Sequence, residues 1–175
     1  PMVYGKSNEG RLMPQEVLSK LDDIIKGEAI VSTDVGQHQM WAAQFLTFNK
    51  PNTILTSGGS GTMGFGLPAA IGAQIGKPEK KVIAVVGDGG FQMTFQELIL
   101  LKQYNLPVKV VIINNSFLGM VRQWQELFND RRYSFVDLNI NPNFENIAKA
   151  YGIKYMTIDN RKKLDSELEG KKESD

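Results

Sequence analysis

KVIAVVGDGGFQMTFQELILLKQYNLPVKVVIINNSFLGM, residues 81–120, decides the fold. Val82 to Val86 form a continuous β-branched and apolar run that ends abruptly in Gly87-Asp88-Gly89-Gly90. A second run, Val108 to Ile113, ends as abruptly in Asn114-Asn115. Such short, uninterrupted apolar runs suit strands buried on both faces of a parallel sheet. Between them, Met93 to Tyr104 has helical periodicity, and Leu106-Pro107 stops it. The stretch reads as strand, glycine turn, helix, strand, polar turn: a βαβ unit. Its crossover brings both strand ends to one sheet edge, so Asp88 and Asn115 emerge side by side. Open α/β sheets bind their ligands at that edge.

Working outward, the same alternation continues. Pro14 opens a helix with an apolar stripe of Val17, Leu18, Leu21, Ile24 and Ile25, closed by Gly27. Residues 28–33 read as a strand ending at Asp34-Val35-Gly36, and a helix covers about 37–45. Residues 53–56 form a short strand entering the glycine-rich 57–66, after which 67–75 is helical. Beyond residue 120 the pattern predicts a helix over 118–128, a polar loop over 129–141, a helix over 144–151, a fifth strand over 153–158 and a last helix over 161–168. Alternating strands and helices define an α/β class with a mostly parallel sheet. The expected organisation is a linker or start over 1–12, one domain over 13–169 and a charged tail over 170–175. Pro1 is not an initiator, so the chain reads as cut from something longer.

The bulk properties exclude several function classes. A net charge of +1 gives no electrostatic footprint for nucleic acid or a membrane surface. The absence of cysteine removes disulfides and thiolate metal sites, and is compatible with a cytoplasmic location. No apolar run approaches the roughly 20 residues needed to span a bilayer.

Three strand ends carry glycine-rich or polar turns (34–37, 57–66 and 87–90), and a fourth carries the asparagine pair. Several such turns on one edge point to a phosphate-containing ligand. A lone GDG is as readily a plain tight turn. Asn115, 27 positions after Asp88, changes the balance. Magnesium takes octahedral oxygen ligands, usually one or two carboxylates completed by phosphates and water. One carboxylate, one amide oxygen and a backbone carbonyl beside a diphosphate meet that demand. Gly89 and Gly90 would let the backbone come close to it.

A rival reading rests on Gly59-Ser60-Gly61-Thr62-Met63-Gly64, which formally matches GxGxxG, with Asp88 24 residues after the last glycine as a ribose-binding acid. It makes the chain a nicotinamide or flavin dinucleotide-binding module. It leaves Asn114-Asn115 unexplained and sets Asp88 between glycines, where phosphates fit better than a ribose. His38, the only histidine, is alone more often a surface or hydrogen-bonding residue than a catalyst, but it follows a strand end with Gly36 and Gln37. Met63 reads equally as core filler or as a ligand contact. Trp124, with Val121, Leu127 and Phe128, reads either as the buried face of a helix or as a channel wall. Arg131-Arg132 reads as solvated surface.

Four segments in order, GQHQMWAAQ (36–44), SGGSGTMGFGLPAAIGA (57–73), GDGGFQMTFQEL (87–98) and NNSFLGMVRQWQELF (114–128), resemble the acetohydroxyacid (acetolactate) synthases. The resemblance runs over about residues 13–159 and concerns only the C-terminal, diphosphate-binding domain of the large catalytic subunit. It implies a three-layer, open, mostly parallel sheet with helices on both faces, the thiamine diphosphate-binding fold. It implies thiamine diphosphate and Mg²⁺ as cofactors, with Asp88, Asn115 and the Phe117 carbonyl as metal ligands. Gln37, His38, Gly87, Gly89, Gly90, Gly119 and Met120 would surround the diphosphate. Gly61 and Met63 would meet the aminopyrimidine, and Val35, Gly36 and Met40 would line the cofactor or the active-site cleft. Trp124 would shape the pocket for the second substrate. The implied reaction is decarboxylation of pyruvate and condensation with pyruvate or 2-ketobutyrate, giving 2-acetolactate or 2-aceto-2-hydroxybutyrate for branched-chain amino acid synthesis. The VRQWQ segment, residues 121–125, favours this synthase over a pyruvate oxidase or a 2-ketoacid decarboxylase. The resemblance also implies a homo-oligomer, a regulatory small subunit, FAD held by a middle domain, and an activating glutamate from an N-terminal domain of a neighbouring subunit. No glutamate here matches that role, Glu97 lying within a helix after the metal turn, and the family's usual final strand is not evident. The fragment alone is therefore expected to be inactive.

Overall fold

The structure, a computed structural model, describes residues 12–169. The linker expected over 1–12, except Leu12, and the tail expected over 170–175 lie outside those residues. The elements in chain order are α1 (Pro14–Ile25), β1 (Ile30–Thr33), α2 (Gln37–Phe45), β2 (Ile54–Thr56), α3 (Gly66–Gly76), β3 (Val82–Gly87), α4 (Asp88–Thr94), a 3₁₀ turn (Phe95–Glu97), α5 (Leu98–Gln103), β4 (Lys109–Ile113), α6 (Gly119–Phe128), α7 (Phe144–Ala150) and α8 (Arg161–Glu169).

The four strands form one all-parallel sheet in the order β2-β1-β3-β4. β3 is central in character: all six of its residues are buried. Its side chains alternate between two cores, as the period of a strand requires. Val82, Ala84 and Val86 pack with Leu67, Ala70 and Ile71 of α3 and with Phe91, Leu98 and Leu101 of α4 and α5. Ile83 and Val85 pack with Leu18, Leu21 and Ile25 of α1 and with Ala42 and Phe45 of α2. The fold is thus three layers, helix, sheet and helix. Because β1 leads through α2 to β2 on one side, while β3 leads through α4 and α5 to β4 on the other, the connections leaving β1 and β3 diverge. That divergence opens a crevice beyond the strand ends, where doubly wound sheets bind ligands.

Two expectations are corrected. The glycine turn after β3 does not exist as a turn: the chain passes from Gly87 straight into α4, with Asp88 as its first residue. The run expected as a fifth strand, 153–158, forms no strand. Ile153 instead hydrogen-bonds back to the Ala148 carbonyl at 2.9 Å and packs against the core, closing α7, while Tyr155 and Met156 are exposed. A short apolar run becomes a strand only where a ladder partner receives it. Here the end of the preceding helix consumes the first residue of the run.

Candidate functional site

The chain reversals at the ends of β1, β3 and β4 enclose a cavity of about 230 Å³. The register explains why: Thr33 pairs with Val85 and Gly87 with Ile113, so Asp34, Asp88 and Asn114 each leave the sheet at neighbouring points. From β1 and α2 come Val35, Gly36, Gln37 and His38. From the glycine loop come Gly61 and Met63, and from β3 and α4 come Gly87, Asp88 and Gly89. Asn115, Phe117, Gly119 and Met120 complete the far wall. Gly90, Met40 and Trp124 do not line it. Gly90 packs on Asp34, whose carboxylate a Cβ there would strike.

Small residues at this edge are set by close approach. A Cβ on Gly87 would lie 2.8 Å from the His38 ring, and one on Gly119 would collide with the Gln37 amide oxygen and lie 2.8 Å from Asn115 Nδ2. The glycine loop is held from beneath by Asp34, 1% exposed. Its Oδ1 accepts from the N–H groups of Val35 (2.8 Å) and Gly64 (3.0 Å), and its Oδ2 accepts from that of Gly66 (3.0 Å). Gly64 takes φ of +87°, a conformation that a side chain would strain.

The electrostatics divide into a neutral and an acidic part. His38 is 6% exposed and its pKa is lowered to about 4, first by burial, against the opposing effects of the Asp34 charge and of a hydrogen bond to the Asp34 backbone. Its Nε2 is buried with no hydrogen-bond partner among the described residues. Asp88 is 2% exposed, and burial raises its pKa, opposed first by the hydrogen bond from Asn141. Asn115 donates from Nδ2 to Gln37 Oε1 (3.3 Å), and its Oδ1 accepts from the Phe117 N–H (3.1 Å). Gln37 in turn donates to Gln123 Oε1 of α6 at 3.0 Å. The Arg122 guanidinium lies over the Phe117 ring (4.6 Å) and over that of Tyr133 (4.5 Å), which steadies the start of α6.

These residues fit a magnesium–diphosphate group. Among the described residues no three acidic, histidine or cysteine side chains gather as an all-protein metal site. One carboxylate with an amide oxygen and a backbone carbonyl suits a hard cation whose remaining ligands are phosphate and water. An unpartnered, buried imidazole nitrogen and glycines that keep the backbone accessible suit the phosphates themselves.

Sequence reasoning missed Trp41, Ile113 and Leu118, which with Val121, read above as part of a helix face or channel wall, make the apolar wall of the cavity. Trp41 was findable: at i+4 from Gln37 and i+3 from His38 it neighbours both on α2, whereas Met40 neighbours Gln37 alone. Asp34 was visible as an acid at a strand end. Asn141 carried no local signal. Trp124 is 60% exposed, with its ring 5.2 Å from that of Phe128, and Val121, Leu127 and Phe128 are exposed with it. That face of α6 is therefore not a buried face. Glu97 ends the 3₁₀ turn and does not line the cavity. No helix among the described residues is long and apolar enough to cross a membrane.

The dinucleotide alternative requires the acid on the strand next to the one feeding the glycine loop. Here β1 lies between β2 and β3, so Asp88 is a strand too far. Residues 34–175 match the family described as thiamine pyrophosphate enzyme, C-terminal TPP binding domain. The chain is 52% identical over 168 residues to the acetolactate synthase large subunit of Lactococcus lactis, covering 96% of this chain and 29% of that protein. It is 51% identical to an acetolactate synthase of Mycobacterium leprae over 87% of this chain and 25% of that protein. It is 47% identical to the mitochondrial acetolactate synthase catalytic subunit of Saccharomyces cerevisiae over 96% of this chain and 25% of that protein. The chain thus spans about a quarter of the length of these relatives.

Proposed function

The chain belongs to the thiamine pyrophosphate enzymes as their C-terminal cofactor-binding domain, and on that premise we propose that it supplies the metal- and diphosphate-holding half of an acetolactate synthase catalytic centre. The observation that carries the proposal is the convergence of Asp88, Asn115 and Phe117 on one cavity with the buried, unpartnered Nε2 of His38. Thiamine diphosphate supplies, when bound, a thiazolium able to accept the electron pair released as a 2-ketoacid loses carbon dioxide.

The protein's own part is to bind and orient. Asp88, Asn115 and the Phe117 carbonyl would hold Mg²⁺. His38, Gln37 and the backbone at Gly87, Gly89, Gly119 and Met120 would surround the diphosphate, with Gly90 packed on Asp34 behind them. Gly61 and Met63, on the loop that Asp34 anchors, would set the height and tilt of the aminopyrimidine, and Val35 and Gly36 would floor the cleft. Trp41, Ile113, Leu118 and Val121 would exclude water from it. Met40 and Trp124, outside the cavity, would meet the substrates from nearby. Pyruvate and 2-ketobutyrate as substrates, FAD, an activating glutamate from a neighbouring subunit, the homo-oligomer, a regulatory small subunit and a cytoplasmic location all belong to the same proposal. So does the inactivity of this chain by itself.

Titration calorimetry on the full chain tests it. Thiamine diphosphate should give heat only with Mg²⁺ present, NAD should give none, and Asp88→Ala should weaken the Mg²⁺-dependent binding at least tenfold. Heat with NAD and none with thiamine diphosphate overturns the cofactor reading. Binding that stays fully Mg²⁺-dependent in Asp88→Ala overturns the metal assignment.

A further inference from the structure

Asn141 lies in the long connection between α6 and α7, 53 residues after Asp88. Its side chain makes three of its four possible hydrogen bonds at the metal edge of the cavity. Nδ2 donates to Asp88 Oδ2 at 2.7 Å and to Asn114 Oδ1 at 3.1 Å, while Oδ1 accepts from Gln92 Nε2 at 2.8 Å. Gln92 Nε2 also donates to the Asp88 carbonyl at 3.1 Å, so the pair grips Asp88 by main chain and side chain together. The connection reaches the site a second time. The Leu118 N–H donates to the Val136 carbonyl and the Leu138 N–H to the Ser116 carbonyl, both at 2.8 Å, bracketing Phe117. A leucine methyl of Leu138 lies 3.1 Å from where a Gly89 Cβ would stand. One segment, residues 136–141, thus braces both Asp88 and the backbone on either side of the Phe117 carbonyl.

We propose that Asn141 is a positioning residue for the metal site, fixing the Asp88 carboxylate in one orientation at the cavity wall so that it meets a divalent cation preorganised. The inference rests on the magnesium–diphosphate reading above and adds a residue that the GDG and asparagine-pair motif does not contain. The chemistry favours an amide there. A buried carboxylate with one oxygen held by a hydrogen bond keeps its orientation. A lysine in the same place would neutralise Asp88 and repel the cation. An acid would set two carboxylates against each other. Partners that orient a ligating group change metal affinity by about 10–100-fold.

The test uses the full chain, with Mn²⁺ as the probe, followed by water-proton relaxation at saturating thiamine diphosphate. Asn141→Ala should raise the Mn²⁺ dissociation constant about 10–100-fold, with the metal-free chain still folded at the assay temperature. Gln92→Leu, which removes the donor that steadies Asn141 Oδ1, should give a smaller rise and serves if Asn141→Ala does not fold. Wild-type chain that binds Mn²⁺ while both variants stay within twofold of it overturns this inference and leaves the cofactor reading standing. A lowered metal-free midpoint with unchanged Mn²⁺ affinity assigns Asn141 a structural role only, and also overturns it. Wild-type chain that binds no Mn²⁺ under these conditions overturns the reading and the inference together.

Discussion

His38 is buried as a neutral ring, and that has a cost at low pH. Its folded pKa of about 4 lies below the ordinary 6.5, so between those values the unfolded chain binds a proton that the folded chain does not. Stability therefore rises with pH across that window. The contribution is fully present above pH 6.5 and lost as pH falls through 4. The difference amounts to about 3 kcal/mol at most. Asp88 works in the opposite sense: its raised pKa makes the folded chain bind protons more readily than the unfolded one, so protonation relieves a buried charge. The two effects overlap in any whole-protein titration, and a single substitution separates them. In His38→Gln, urea unfolding from pH 4 to 7 should show a shallower loss of stability on acidification than wild type, by up to that amount. Parallel curves for the two proteins rule out His38 as the source. The imidazole whose burial is unfavourable at low pH belongs to a residue of the cavity wall. Stability has been given up at a site built to bind something.

At the scale of elements, strand ends were legible and what braces them was not. Continuous β-branched runs identified β3 and β4, and the polar residues directly after them had to emerge together because parallel neighbours share a direction. That is why residues as distant as Val35, Met63, Asp88 and Asn115 could be placed on one edge from sequence. Gly87 to Gly90 read as a turn because glycine usually makes one. In the structure the glycines serve close packing against His38, Leu118 and Asp34, and the helix starts at once. Residues 153–158 had strand composition but no ladder to join, a matter of tertiary placement that local pattern does not encode. Asp34 and Asn141 act across 30 and 53 residues on loops, where no periodicity marks them. The Asp34 clamp yields a prediction about its element. Asp34→Ala leaves the N–H groups of Gly64 and Gly66 without their acceptor in a buried place. An orphaned buried donor costs about 1–3 kcal/mol. The variant should lose about 3 kcal/mol in total, and amide exchange at Gly64 and Gly66 should accelerate far more than at residues of β3. Uniform acceleration through the sheet would show that Asp34 supports the whole fold rather than the glycine loop.

At the scale of the whole molecule, the two ends of the described chain are joined on the face of the sheet that carries α1 and α2. Glu16, only 5% exposed, accepts from Arg161 through both oxygens, at 2.6 Å from Nε and 3.3 Å from Nη2, across 145 residues. Glu16 also accepts from the Met13 N–H at 2.8 Å, so one carboxylate closes the start of α1 and docks α8. Leu164 buries beside it, and Lys20 reaches Asp165 at 3.5 Å. The Lys20–Asp165 pair, with Asp165 exposed, contributes little by itself. The Glu16–Arg161 pair differs because one partner is buried: removing the guanidinium takes a countercharge from a carboxylate that water cannot reach well. Breaking such a pair costs about 3–5 kcal/mol, and the lower end applies because Arg161 keeps a third of its side chain exposed. Arg161→Ala should therefore lower the unfolding free energy by about 3 kcal/mol, measured by urea titration. The double variant with Glu16→Ala should lose less than the sum of the two single losses, since the two residues contact each other and the second substitution removes the buried charge that the first deprives of Arg161. Neither residue lines the cavity, and the strand ends that form it are fixed by β1, β3 and β4. Cofactor titration of folded Arg161→Ala should then match wild type. A fall in affinity larger than twofold would mean that docking of α8 is felt through α1 and α2 at Gln37 and His38, and that stability and binding in this domain are not separable.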